Sequence, residues 1–197
     1  MPLTRQIHCQ KLDFMLFYAQ KNLFNQTEKL NIMQKSVPVT QAWQRKYPEQ
    51  VVLVITKSPD NRINVMAVGW VCIVSDDPAM FLIGVDDPAY TLELIRRNKE
   101  FVIAYPGKSM AKETLYFGTV HGHNINKGME SKLEFTAAEI VDVPLLSDAV
   151  ANFECEFVTE YRPGNCPLVV GKVVASHVNC DGSIQRLVNA GAGYQLQ

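Results

Sequence analysis

From Gln50 onward apolar residues come in short bursts, each closed by turn-forming residues. Val51–Thr56 is apolar and β-branched, and Ser58-Pro59-Asp60-Asn61 ends it, the pattern of a strand and a turn. Ile63–Val74 is a longer run, too apolar on both faces for a strand that meets solvent, and Asp76-Asp77-Pro78 stops it. Met80–Val85 is a third strand. Three runs with short links predict an antiparallel meander, because a parallel return needs a long crossover.

Asp87-Pro88-Ala89-Tyr90-Thr91 predicts a helix start, with Asp87 as N-cap and Pro88 at the first helical position. Leu92, Leu94 and Ile95 supply an apolar face, and Arg96, Arg97 and Lys99 suit the C-terminal end of the dipole. Phe101–Tyr105 reads as a strand, followed by a helix over Ser109–Phe117 and a short one near Asn124. Strands return at Glu139–Val143, Asn152–Tyr161 and Leu168–Val178, with a hairpin turn at Arg162-Pro163-Gly164-Asn165. Nothing regular is expected after the turn at Asp181-Gly182. Strands at short spacing, with helices inserted rather than alternating, predict a mainly β fold and favour a barrel over a doubly wound sheet.

Residues 1–40 differ: they are rich in Gln, Lys and Asn, and Leu12, Leu16, Ala19 and Leu23 make at best a short amphipathic helix. We expect 1–40 to be a flexible extension and 41–197 to be the domain, with Met33 a plausible start. A docking helix is the competing reading of 1–32. Phe14–Ala19 is too short, and too poor in a small-x-small site, to suggest a signal peptide.

Composition narrows the classes. With 197 residues, 47% hydrophobic and a net charge of −1, the chain can bury one substantial core but offers no basic footprint for nucleic acid. No apolar run reaches membrane-span length. Five cysteines without paired spacing fit reduced thiols and a cytoplasmic setting. GxGxxG and GxxxxGK[ST] are both missing, and His121-Gly122-His123 lacks a cysteine or acid at zinc spacing, so no metal is expected.

Five segments in order resemble the flavin-reductase-like family, the FMN-binding split barrels that include flavoredoxins. They are Ile63–Trp70, Asp87–Ile95, Asn98–Ile103, Gly118–Lys127 and Gly171–Val174. The resemblance implies a split β-barrel of Greek-key type and a homodimer with FMN near the subunit interface. It also implies hydride transfer from NAD(P)H to the flavin, with electrons passed to free flavin or another acceptor, such as a partner protein. A flavoredoxin-like electron carrier without NAD(P)H activity is the alternative it carries.

By the same resemblance, Thr91 and Lys127 contact the flavin phosphate, while Asn64 and Trp70 lie near the ring, with His121 and Gly122 completing the site. Physical sense supports part of this. A helix N-terminus favours a phosphate, Thr91 could add a donor, and Lys127 a point charge. Without the family pattern, Thr91 reads as a helix-start hydroxyl, Lys127 as a solvated charge and Trp70 as core. Asn64 and Trp70, six apart on one strand, should share a face. Asp86 and Asp87 oppose an anion there unless they point away. The family usually has Ser-Gly at His121-Gly122, Asp-Lys at Asn126-Lys127, and often a histidine where this chain has Cys166. Hydride delivery needs no protein acid or base, so no catalytic residue is named.

Overall fold

The structure, a computed structural model, describes residues 34–197, and the chain divides into two compact units, 1–45 and 46–197. The expected helix through Leu12 and Leu23, and most of the expected extension, lie outside the described residues. In the first unit a four-residue helix, α1 (Val39–Ala42), continues into a 3-10 turn, and none of its residues is buried.

The second unit is built on strands. Its elements are β1 (Glu49–Gln50), β2 (Val52–Lys57), β3 (Ile63–Val68), β4 (Val71–Asp76), β5 (Ala79–Gly84) and helix α2 (Tyr90–Asn98). After β6 (Glu100–Tyr105) come helices α3 (Ala111–Thr119) and α4 (Lys127–Glu130), then the short β7 (Phe135–Thr136) and β8 (Leu145–Leu146). The long β9 (Ala151–Tyr161) and β10 (Leu168–Val178) follow, and β11 (Val188–Asn189) pairs with β1.

Seven strands form one sheet in the order β3-β2-β6-β9-β10-β5-β4, every pair antiparallel. The two edges of the sheet, β3 and β4, are consecutive in the chain and joined only by Gly69 and Trp70. So short a link makes the sheet curl until its edges meet at one end. The chain crosses from β5 to β6 through α2, which gives the Greek-key path. This is the expected mainly β split barrel with inserted helices.

Inward residues of the barrel form one core, including Val52, Val54, Phe81, Ile83, Phe101 and Val169, and α2 adds Leu92 and Ile95. A second core lies outside, where Leu53 and Ile55 of β2 and Val102 and Ala104 of β6 meet Phe117 and Leu146. Both faces of β2 are therefore dry, which is why its sequence is continuously apolar rather than alternating. Each fully buried aliphatic side chain here contributes about 1.5–3 kcal/mol relative to exposure. Gly171 of β10 lets Phe101 into the barrel centre, since a Cβ at 171 would stand 2.3 Å from its Cζ.

Four expectations need correction. Ile63–Val74 is not one strand but two, which do not pair with each other, so the three runs form two hairpins on opposite edges of the sheet and not a meander. Glu139–Val143 is not a strand: the amides of Glu139, Ile140 and Val141 donate to the buried carboxylate of Glu154 at 2.8, 2.7 and 2.9 Å. Those donors are satisfied by a side chain, so no partner strand is needed. Asp87 does not cap α2, whose N-cap is Ala89 without a side-chain bond, and Pro88 lies before the helix. Instead Asp87 accepts two bonds from the Arg162 guanidinium, each 2.5 Å long. Finally, the tail carries β11, two residues too short to show a period.

Candidate functional site

On β3, alternation turns Asn64 inward, where it is buried beside β2 and α2. Its Nδ2 donates to Thr56 Oγ1 at 3.0 Å and to Thr91 Oγ1 at 2.9 Å. Both amide hydrogens are thus taken, while Oδ1 is buried without a partner among the described residues. Gly122 covers that oxygen, and a Cβ at 122 would stand 2.0 Å from it.

Thr91 sits in the first turn of α2 and is buried. Its hydroxyl accepts from Asn64 and has no acceptor of its own among the described residues. Where this helix starts, the amides of Tyr90 and Thr91 have no backbone acceptor, as the first turn of a helix requires. The Tyr90 ring lies 4.5 Å from that of His123, tilted by 42°, and His123 Nε2 lies 3.3 Å from the Glu93 carboxylate.

Lys127 is not a solvated charge. Asn126 caps α4 by accepting from Met129 N at 3.2 Å, which turns Lys127 back into the protein, where it is 3% exposed. Its ammonium donates to Val65 O at 2.8 Å and Phe117 O at 3.1 Å, which accounts for two of three hydrogens. It pairs with no carboxylate among the described residues. Burial alone pushes its pKa down from 10.5 to about 8. A dry cation without a counter-ion is costly and calls for an anion.

Asn64, Thr91, His121, Gly122 and Lys127 all line one cavity of about 180 Å3. Sequence reasoning missed Thr56, which anchors Asn64, and the carbonyls of Val65 and Phe117, which anchor Lys127; backbone acceptors leave no residue-type signal. Asp86 also lines the cavity, and its carboxylate opposes an anion there. Asp87 does not, because Arg162 holds its carboxyl below the usual range and neutralises it. Arg96, bonded to Glu160 at 2.7 and 2.8 Å, ties the same helix to the β9–β10 hairpin.

Trp70 is the exception. It lies in the link between β3 and β4, 54% exposed, and not on the strand with Asn64. Its ring packs over Gly84, where a Cβ would stand 3.0 Å from its Cε3 and 3.5 Å from Cys166 Sγ. Cys166 is buried, and burial together with Asp86 pushes its thiol up, so it stays protonated near neutrality.

The cavity residues fit a phosphate-bearing ligand on physical grounds: its lining includes a buried ammonium with no carboxylate partner among the described residues, a hydroxyl whose hydrogen is uncommitted, and the first turn of α2. Among the described residues, no group of three or more His, Cys, Asp or Glu could hold a metal ion, and no helix is long and apolar enough to cross a membrane.

The sequence model of the flavin reductase like domain matches residues 44–195. An uncharacterised protein of Pyrococcus abyssi is 36% identical over 129 residues, covering 66% of this chain and 73% of its own length. Two solved structures share the fold. The flavoredoxin of Methanosarcina acetivorans superposes with a TM-score of 0.73 at 24% identity, over 83% of this chain and 90% of that one. The FMN-binding protein of Thermus thermophilus, with bound 1-cyclohex-2-enone, gives 0.70 at 20% identity, over 83% and 92%. With its barrel, its cavity and a sequence match over most of its length, the chain belongs to the flavin reductase like family.

Proposed function

We propose that this chain binds FMN, with the phosphate in the cavity between Thr91 and Lys127, and acts as a flavin oxidoreductase supplied by NAD(P)H. The observation that carries this is Lys127, a buried ammonium with no carboxylate partner on the wall of a cavity at a helix N-terminus. The family match and the FMN-binding relative of the same fold support it. A bound flavin would supply the redox chemistry, accepting a hydride and passing electrons on. This chain's residues bind and orient. Lys127 meets the phosphate charge, Thr91 and the α2 amides donate to it, and Gly122 lets the 119–126 loop close against Asn64. His121 stands at the exposed edge of the cavity, where it meets the ligand or solvent.

Anaerobic addition of NADH or NADPH to the FMN-loaded protein tests the activity. Rapid bleaching of the flavin band supports the reductase. Yellow protein inert to both supports the second reading, an electron carrier.

The acceptor of those electrons is free flavin or a partner protein. We also infer a homodimer. The edge strand β4 exposes Ile73 (67%) and Val74 (46%) beside Trp70, and an apolar edge of that kind invites a second chain.

A further inference from the structure

We propose that Asn64 is a positioning residue rather than a ring contact: it acts through Thr91, and together they make the site select a phosphorylated flavin over an unphosphorylated one. This rests on the phosphate reading above. A threonine hydroxyl has one hydrogen and two lone pairs, so its role depends on its neighbour. At 2.9 Å, Asn64 Nδ2 fills an acceptor position of Thr91 Oγ1. The Thr91 hydrogen then has no acceptor among the described residues, and Thr91 lines the same cavity as Lys127, so that hydrogen is free to meet a ligand there. Donation from Asn64 also polarises the hydroxyl and strengthens its bond to an anion, because successive hydrogen bonds in a chain reinforce one another.

Asn64 itself is held for this task. Its second amide hydrogen goes to Thr56 on the neighbouring strand, directly across the β2–β3 register, so the carboxamide cannot swing. Gly122 lies over Oδ1 and leaves no room for a ligand on that side. Asn64 lines the cavity but has no amide hydrogen left for the ligand, so its polar influence on the ligand runs through the threonine. Buried threonine and asparagine in a sheet core are otherwise costly, and here three polar side chains form a chain that ends at the cavity.

The test is the ratio of FMN to riboflavin affinity, measured by quenching of flavin fluorescence for the wild type, Asn64→Ala, Thr91→Val and the double variant. Riboflavin affinity monitors the fold and the ring pocket, and should stay within a few-fold throughout. Thr91→Val should lower the ratio roughly 10- to 100-fold, the range for a hydrogen bond to a charged group. Asn64→Ala should lower it several-fold, and the double variant no further than Thr91→Val alone, since coupled residues are not additive. A ratio that Asn64→Ala leaves unchanged or raises overturns the inference, a rise being the sign of an inverted carboxamide that had taken the Thr91 hydrogen. Multiplying effects in the double variant overturn it too, because Asn64 then acts independently. A wild-type ratio near one overturns the phosphate reading itself and this inference with it. Should Asn64→Ala fail to fold, Asn64→Ser keeps a polar group at the position and carries the same expectations.

Discussion

Gly122 lies so close to Asn64 that a Cβ at position 122 would stand 2.0 Å from Asn64 Oδ1 and 3.1 Å from Tyr90 Cδ1. No side chain can enter that gap without moving the loop off the cavity. Gly122→Ala should destabilise the protein by about 1–3 kcal/mol, the usual cost of overpacking. It should also lower FMN retention at least as much as Lys127→Met, as read by equilibrium dialysis.

Lys127 offers a second, opposite signature. Lys127→Met keeps the aliphatic volume but removes the charge, so FMN affinity should fall roughly 10- to 100-fold, about 1.5–3 kcal/mol for one charged hydrogen bond. Riboflavin, which has no phosphate, should bind the variant and the wild type alike. Isothermal titration of both ligands checks this.

The same lysine gives the site a pH dependence. Its pKa falls from 10.5 to about 8 on folding, so between these values the unfolded chain holds more protons than the folded one. Stability of the free protein therefore rises as pH climbs through that window, and Lys127→Met should abolish the rise. An adjacent phosphate favours the charged ammonium and opposes the shift. FMN binding at about pH 8.5 should then take up a proton, and affinity should fall at higher pH. Titration calorimetry in buffers of different ionisation heat measures that uptake.

Glu154 is the structural pin of the outer core. It accepts three backbone amides and lies 2.7 Å from His177 Nε2, while being fully buried. Burial raises its pKa, but the three amides and His177 together outweigh that and leave it below its ordinary value. Its stabilisation is present above the carboxylate range and is lost as pH falls through the lowered value. Glu154→Ala leaves three donors without a partner and should cost about 3 kcal/mol or more in urea denaturation.

How much of this was legible in the sequence depends on how far the deciding contact lay. The barrel strands were readable because burial on both faces of β2 and β6 leaves continuous apolar runs, and α2 because Leu92 and Ile95 mark its inner face. Glu139–Val143 looked like a strand, but its amides are taken by a carboxylate on β9, a contact no local pattern carries. Asp87 looked like a cap, but Arg162, in the turn between β9 and β10, takes its carboxylate. In the cavity, the residue types Asn64, Thr91, Gly122 and Lys127 were visible by family likeness. The burial of Lys127 was not, because the carbonyls of Val65 and Phe117 that hold it belong to the backbone and have no signature in sequence. Trp70 was misplaced because a run of apolar letters does not show that two residues of it form a corner.

The β4 edge yields a separate prediction. Ile73→Lys places a charge in the exposed apolar strip and should convert a dimer to a monomer, with half the mass in analytical ultracentrifugation and an unchanged far-ultraviolet spectrum. A wild type that sediments as a monomer would remove the dimer from the account and leave the cavity untouched.

That the chain binds FMN, with its phosphate in the cavity of Asn64, Thr91 and Lys127, is tested most directly by the visible absorbance of the purified protein. The sample is incubated with FMN and freed of unbound flavin by gel filtration. A yellow protein carrying about one flavin per chain is expected, with little retained by Lys127→Met. A colourless wild-type protein that leaves the column without flavin would contradict it.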